Sequence, residues 1–138
     1  MNIFAVDHIG IAVRSLEQAL KFYRDHLQLG VVGVEEVAGE KVRVAMLPVG
    51  ESRIELLEAT ADDSPIARFL AKRGEGLHHI SLRVENIVEA IERLKAGGAR
   101  LVHAEPRIGA GGHVYVFVHP ESTGGVLLEL VEEQPKGV

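Results

Sequence analysis

Apolar and polar positions alternate in two short stretches of this chain, HIGIAV at 8–13 and HISLRV at 79–84. Side chains on a strand point to opposite faces with a period of two. Ile9, Ile11 and Val13 therefore share one face of the first stretch, and His8, Gly10 and Ala12 the other, on a strand spanning about 4–13. The spacing then turns helical. Ser15 with Gln18 three residues on makes a capping box, and Leu16, Ala19, Leu20, Tyr23 and Leu27 form an apolar stripe that Gly30 ends. Strands follow near 31–38, 41–49 and 52–58. The second stretch, on a strand over 78–84, starts the same series again. Asn86 and Glu89 stand 71 residues after Ser15 and Gln18, Ile87, Ala90, Ile91 and Leu94 form the stripe, and Gly97-Gly98 closes it. Strands near 99–105, 113–119 and 125–132 complete the repeat.

The pattern predicts an α+β chain of two tandem βαβββ modules, one at about 4–60 and one at about 77–132. Between them, Ser64 as cap, Pro65 at the first helical position and Gly74 at the end predict a connector helix at about 64–73. A length of 138 residues fits one domain over 1–138. The composition, 46% apolar and 25% charged, is that of an ordinary globular protein. A formal charge of −5 and the lack of a basic run argue against nucleic acid as a partner. The chain has no cysteine, which excludes disulfide and thiol chemistry. No apolar run reaches spanning length and MNIFAVDHIG does not read as a signal peptide, so a cytoplasmic protein, or the mature form of an organelle one, with no membrane partner is expected.

The candidate chemistry lies in a second repeated signature, IELLE at 54–58 and LELVE at 128–132. His79 follows His8 by 71 residues, and Glu129 follows Glu55 by 74. Alternation puts Ile54 and Leu56 on one face and Glu55 on the other, with Arg53 and Leu57; Glu129 likewise stands opposite Leu128 and Leu130. All four polar residues fall on the face opposite the one that packs on a helix. Duplication of a structural frame accounts for repeated Leu and Ile, but not for repeated His and Glu on the unpacked face. A carboxylate flanked by Leu127 and Val131 is partly desolvated and needs a partner. Two imidazoles and two carboxylates make an N2O2 ligand set for one divalent cation, with Co, Mn, Zn, Ni and Mg all compatible. Of the other histidines, His78 falls on the aliphatic side of its strand and reads as structural, His26 and His103 read as surface residues, and His113 and His119 flank the last hairpin. The loop GAGG at 109–112 lacks the Gly-Lys-Ser/Thr ending of a phosphate loop and reads as a hairpin connection.

The stretches VDHIGIAV (6–13), ELLEATADDSPIARFL (55–70), GEGLHHISLRVENI (74–87) and GAGGHVYVFVHPESTGGVLLEL (109–130) resemble the vicinal oxygen chelate superfamily, also called glyoxalase/bleomycin-resistance/dioxygenase. Within it they most resemble the methylmalonyl-CoA epimerase family. The resemblance implies a curved, cup-shaped mixed sheet around the metal site with helices outside. It implies metal ligands at His8, Glu55, His79 and Glu129, one divalent ion, an acyl-CoA substrate and a homodimer. The implied reaction is interconversion of the C2 epimers of methylmalonyl-CoA by proton transfer, with Glu129 as a catalytic acid/base group; Glu55, at the mirrored position in the other module, is the candidate for the second. The alternatives are a glyoxalase I-type lactoylglutathione lyase, whose His-Glu-His-Glu set Glu55 matches, and a non-catalytic binding member of the superfamily. Some relatives carry a further catalytic Glu on the strand that here reads KVRVAML (41–47), and Val44 aligns with it. Lys41, Arg43 and Arg107 are candidate coenzyme A contacts by charge.

Overall fold

The computed structural model describes residues 1–132. Two compact units divide the chain, His8–His78 and residues 1–7 together with those from His79 on. The first strand, β1 (Ile3–Ala12), begins in one unit and ends in the other.

In the unit over His8–His78, β1 is followed by α1 (Leu16–Leu20), β2 (Gly33–Val37), β3 (Val42–Val49), β4 (Ser52–Ala59) and α2 (Pro65–Arg73). The strand order is β2-β3-β4-β1, with β1 parallel to β4 and the other pairs antiparallel. Ser15 caps α1 by accepting from the Gln18 N–H, as the sequence pattern implies. The helix then widens into a π-helical turn over Lys21–His26, with the Leu27 N–H bonded to the Phe22 carbonyl five residues back. That wider turn rotates Leu27 off the core stripe and leaves it exposed, while Leu29 and Val31 pack in its place. Gln28, in the left-handed region at φ 62°, turns the chain two residues before Gly30.

Each face of this sheet has its own core. Val13, Leu16, Leu20, Ala45, Leu47 and Leu56 bury α1 against one face. Ala12, Val42, Val44, Leu57 and Ile66 form a cluster on the other, with Phe69 and Leu70 of α2 packed on it. The connector helix, capped by Ser64 and ended by Gly74 as expected, thus lies on the face that carries Glu55.

In the other unit, β5 (Gly76–Val84, whose first residues belong to the unit before) leads to α3 (Ile87–Ala96), β6 (Arg107–Ile108), β7 (Val114–Val118), α4 (Pro120–Thr123) and β8 (Leu128–Glu132). The order is β5-β8-β7-β6, again with one parallel pair, β5 with β8. Asn86 caps α3 through the Glu89 N–H. Val84, Ile87, Ala90, Ile91, Val116 and Leu130 form the core under that helix. The strand expected near 99–105 does not form. Only Leu101 bridges to Val118, and the Arg100 N–H goes to the Ser122 hydroxyl instead of a strand partner. Pro106, which has no N–H to donate, precedes the short β6. The expected strand over 125–132 begins only at Leu128, after the short helix α4, which has Pro120 at its first turn and His119 as its cap. Among the described residues, no helix is long and apolar enough to cross a membrane.

Candidate metal centre

The parallel pair in each unit sets one imidazole beside one carboxylate. In the first, β1 and β4 run in register with His8 opposite Arg53 and Gly10 opposite Glu55. His8 Nδ1 stands 3.4 Å from Glu55 Oε2. In the second, Ser81 on β5 lies opposite Glu129 on β8. His79, two residues before Ser81, places Nε2 at 3.8 Å from Glu129 Oε1. These four side chains are nearly dry, with relative exposures of 4% for His8, 5% for Glu55, 6% for His79 and 7% for Glu129. Burial on this scale is rare for a carboxylate and calls for charge compensation.

Each carboxylate has a different local partner. The Arg53 guanidinium donates to Glu55 Oε2 from Nε and approaches the same oxygen with Nη2, each at 2.9 Å. Glu129 Oε2 instead accepts from the hydroxyl of Ser81, which is fully buried. Around Glu129 the wall is aromatic. Phe117 faces it across the β7–β8 pair and stacks edge-on against His79 at 5.3 Å, with Tyr115 edge-on to Phe117 at 5.5 Å. The alternation in VYVFV (114–118) carries this signal, since Tyr115 and Phe117 share one face of the strand.

Donors bound to one ion at about 2.0–2.2 Å stand roughly 3–3.5 Å apart, close to the two imidazole–carboxylate separations here. The donor types suit a divalent ion as well, with nitrogen and carboxylate oxygen and no sulfur. Each unit therefore presents a buried imidazole–carboxylate pair whose donors suit a metal ion.

Asp7 is a buried acid to which the alternation pattern assigns no role. It is 5% exposed and accepts from Arg83 Nε at 2.9 Å, and the Arg83 guanidinium also lies over the Phe4 ring. Its position directly before His8 is the signal that identifies it. Val44 lies 3% exposed among Ala12, Leu57 and Ile66, so the strand position aligned with an acid in some relatives is apolar here. His78 packs edge-on against Phe69, and burial lowers its pKa to about 4, in keeping with a structural role. His119 caps α4 by accepting the Glu121 N–H at Nδ1. His113 keeps a buried Nδ1 without a hydrogen-bond partner. Two of the cations proposed for coenzyme A are engaged at the surface, Lys41 with Asp63 and Arg43 with Glu58.

Residues 7–117 match the model of the Glyoxalase/Bleomycin resistance protein/Dioxygenase superfamily. The chain belongs to this superfamily. Among its relatives, the ethylmalonyl-CoA/methylmalonyl-CoA epimerase of Cereibacter sphaeroides is 40% identical over 91% of this chain and 95% of its own. The superfamily fold is shared in detail with the methylmalonyl-CoA epimerase of Mycobacterium tuberculosis. That structure superposes with a TM-score of 0.93 at 38% identity, over 97% of this chain and 91% of its own. A methylmalonyl-CoA epimerase solved in complex with methylmalonyl-CoA and NH4+ gives a TM-score of 0.92 at 36% identity, over 96% of both chains. By contrast, the lactoylglutathione lyase of Escherichia coli O157:H7 is only 25% identical over 94% of this chain.

Proposed function

We propose that this protein interconverts the two C2 epimers of methylmalonyl-CoA, with one divalent ion held by His8, Glu55, His79 and Glu129. The observation that carries the reading is the repeated, buried imidazole–carboxylate pair, in a chain similar along nearly its whole length to epimerases of this substrate. Co, Mn, Zn, Ni and Mg all suit these donors. We place the protein in the cytoplasm as a homodimer whose protomer is one vicinal-oxygen-chelate domain.

The C2 proton lies between a thioester and a carboxylate and is too weakly acidic for an unaided side chain. A bound divalent ion supplies Lewis-acid polarisation of the substrate oxygens. Inversion requires a proton to leave one face of C2 and arrive at the other, so two acid/base groups are needed. Glu129 serves one face. Ser81 fixes its Oε2 and so fixes the direction in which Oε1 is presented. Glu55, at the mirrored position, serves the other face, and Val44 leaves no acid beside it on β3 to share that work. The aromatic wall of Phe117 and Tyr115 stands beside Glu129 and keeps its surroundings poorly hydrated.

Proton NMR in D2O tests this. The metal-loaded protein is expected to exchange the C2 proton of methylmalonyl-CoA and to leave the hemithioacetal of methylglyoxal and glutathione unchanged. Glu129→Gln is expected to retain the ion and lose exchange. Epimerisation that survives in Glu129→Gln, or turnover of the hemithioacetal alone, rejects the assignment.

A further inference from the structure

The two half-sites repeat their ligands but not what surrounds them. Arg53 corresponds in the repeat to Leu127, and Gly10 to Ser81. Glu129 therefore has a neutral hydroxyl on the neighbouring strand, whereas Glu55 faces a glycine there and is bonded instead by a guanidinium two residues away on its own strand. The Arg53 side chain is only 20% exposed, and its Nε and Nη2 both lie 2.9 Å from the Glu55 oxygen that His8 Nδ1 approaches to 3.4 Å.

We infer that Arg53 sets how tightly this chain takes up its metal ion, acting as a built-in cation that neutralises Glu55 in the metal-free protein and competes with the ion for it. The inference rests on the reading of Glu55 as a ligand. In the metal-free state the guanidinium satisfies a carboxylate that would otherwise be buried with its charge uncompensated. A bound dication would have to share the Glu55 carboxylate with the guanidinium, and the two positive charges would repel each other through a poorly screened interior. Arg53 thus stabilises the empty half-site and weakens the filled one. At Glu129 the residue that corresponds to Arg53 is the uncharged Leu127, and Ser81 donates a neutral bond. Arg53 is a positioning residue in this scheme, and its effect appears in binding rather than in the proton transfer.

The test is calorimetric titration of the metal-free protein with Co2+, beside thermal unfolding with and without Co2+. Arg53→Gln keeps a hydrogen-bond donor to Glu55 and removes the charge; Arg53→Leu copies the residue of the other half; Arg53→Lys keeps the charge. Arg53→Gln and Arg53→Leu are expected to bind Co2+ at least tenfold more tightly than wild type (~1.4 kcal/mol). Their metal-free melting temperatures should fall and their Co2+-induced rise should grow, while Arg53→Lys stays near wild type. Arg53→Gln that binds Co2+ no more tightly than wild type overturns the inference, and so does tightening of equal size in Arg53→Lys. Wild-type protein that binds no Co2+, or whose binding is undiminished in His79→Ala, overturns the metal site itself and the inference with it. Wild-type binding that His79→Ala abolishes and Arg53→Gln leaves unchanged removes only the role of Arg53.

Discussion

Replacing Ser81 with Ala removes one oxygen from a fully buried position and with it the hydroxyl donor to Glu129 Oε2. The volume change is small, so the cavity contribution is minor, and the effect comes from a buried carboxylate deprived of a donor. A hydrogen bond to a charged group contributes a net ~1.5–3 kcal/mol. A loss of about 2 kcal/mol in a chain of 138 residues, at roughly 2.1 cal/mol/K of unfolding entropy per residue, lowers the melting temperature by about 7 °C. The same bond sets the direction of Glu129 Oε1, so loosening it is expected to lower kcat by about tenfold, equivalent to ~1.4 kcal/mol of transition-state stabilisation. Urea unfolding of the metal-free protein measures the first effect, and the rate of C2 proton exchange measures the second. A Ser81→Ala variant within ~0.5 kcal/mol of wild type and with an unaltered exchange rate would refute the reasoning. Such a result would mean that Glu129 is held by other contacts and that the hydroxyl is a bystander.

The last acid of each repeated signature gives a second prediction. Glu58 accepts the Leu16 N–H at 2.8 Å, and Glu132 accepts the Ile87 N–H at 2.9 Å, each at the first residue of a helix. Glu58→Ala and Glu132→Ala are each expected to cost about 1–3 kcal/mol by urea unfolding, with the corresponding Gln variants milder because the amide oxygen still accepts; variants indistinguishable from wild type would remove the caps from the account. His78 gives a pH dependence. Its pKa is about 4 in the folded protein, lowered by burial, against about 6.5 when unfolded, so the unfolded chain binds the proton first. The stability tied to this group is therefore complete above about pH 6.5 and is lost as the pH falls toward about 4, by roughly 3 kcal/mol in total. Metal-free wild type should lose this stability between pH 7 and pH 4.5, His78→Leu should lose about 2–3 kcal/mol less over the same interval, and equal losses in both would contradict the assignment.

The duplication was legible because it lies in sequence spacing, and spacing survives folding. The offsets of 71 and 74 residues place His8 and His79 on matching strands and Glu55 and Glu129 on their parallel neighbours. The caps Ser15, Ser64 and Asn86 were equally plain, since each acts on a backbone N–H within three residues. What spacing does not carry is the choice made by tertiary contact. Nothing local announces the π turn at Lys21–His26, which moves Leu27 out of the core. The segment 99–105 has the apolar content of a strand, yet beyond one bridge to the end of β7 its backbone is taken up by His119 and by the Ser122 hydroxyl of the short helix that follows. Asp7 was hidden for the opposite reason. A strict alternation puts it on the side of Ile9, and its burial beside the guanidinium of Arg83 depends on a residue far along the chain.

The two acids of each signature answer to different physical demands, which explains why IELLE and LELVE repeat as units. Glu55 and Glu58 are three residues apart on one strand, so their side chains leave opposite faces. Glu55 meets His8 on one face, while on the other Glu58 bonds the first N–H of the helix that continues from β1. Ala12, the last residue of β1, is in register with Leu57, so the capping bond ties the ends of the two parallel strands that carry the imidazole and the carboxylate. Glu129 and Glu132 do the same for β8, β5 and α3. A slip of one residue between the strands of either pair would break the cap and would also turn the carboxylate away from its imidazole. The cap therefore acts as a register lock. On this argument the second acid of each signature matters to the chemistry although it never faces it, because it fixes the strand alignment on which the first acid depends.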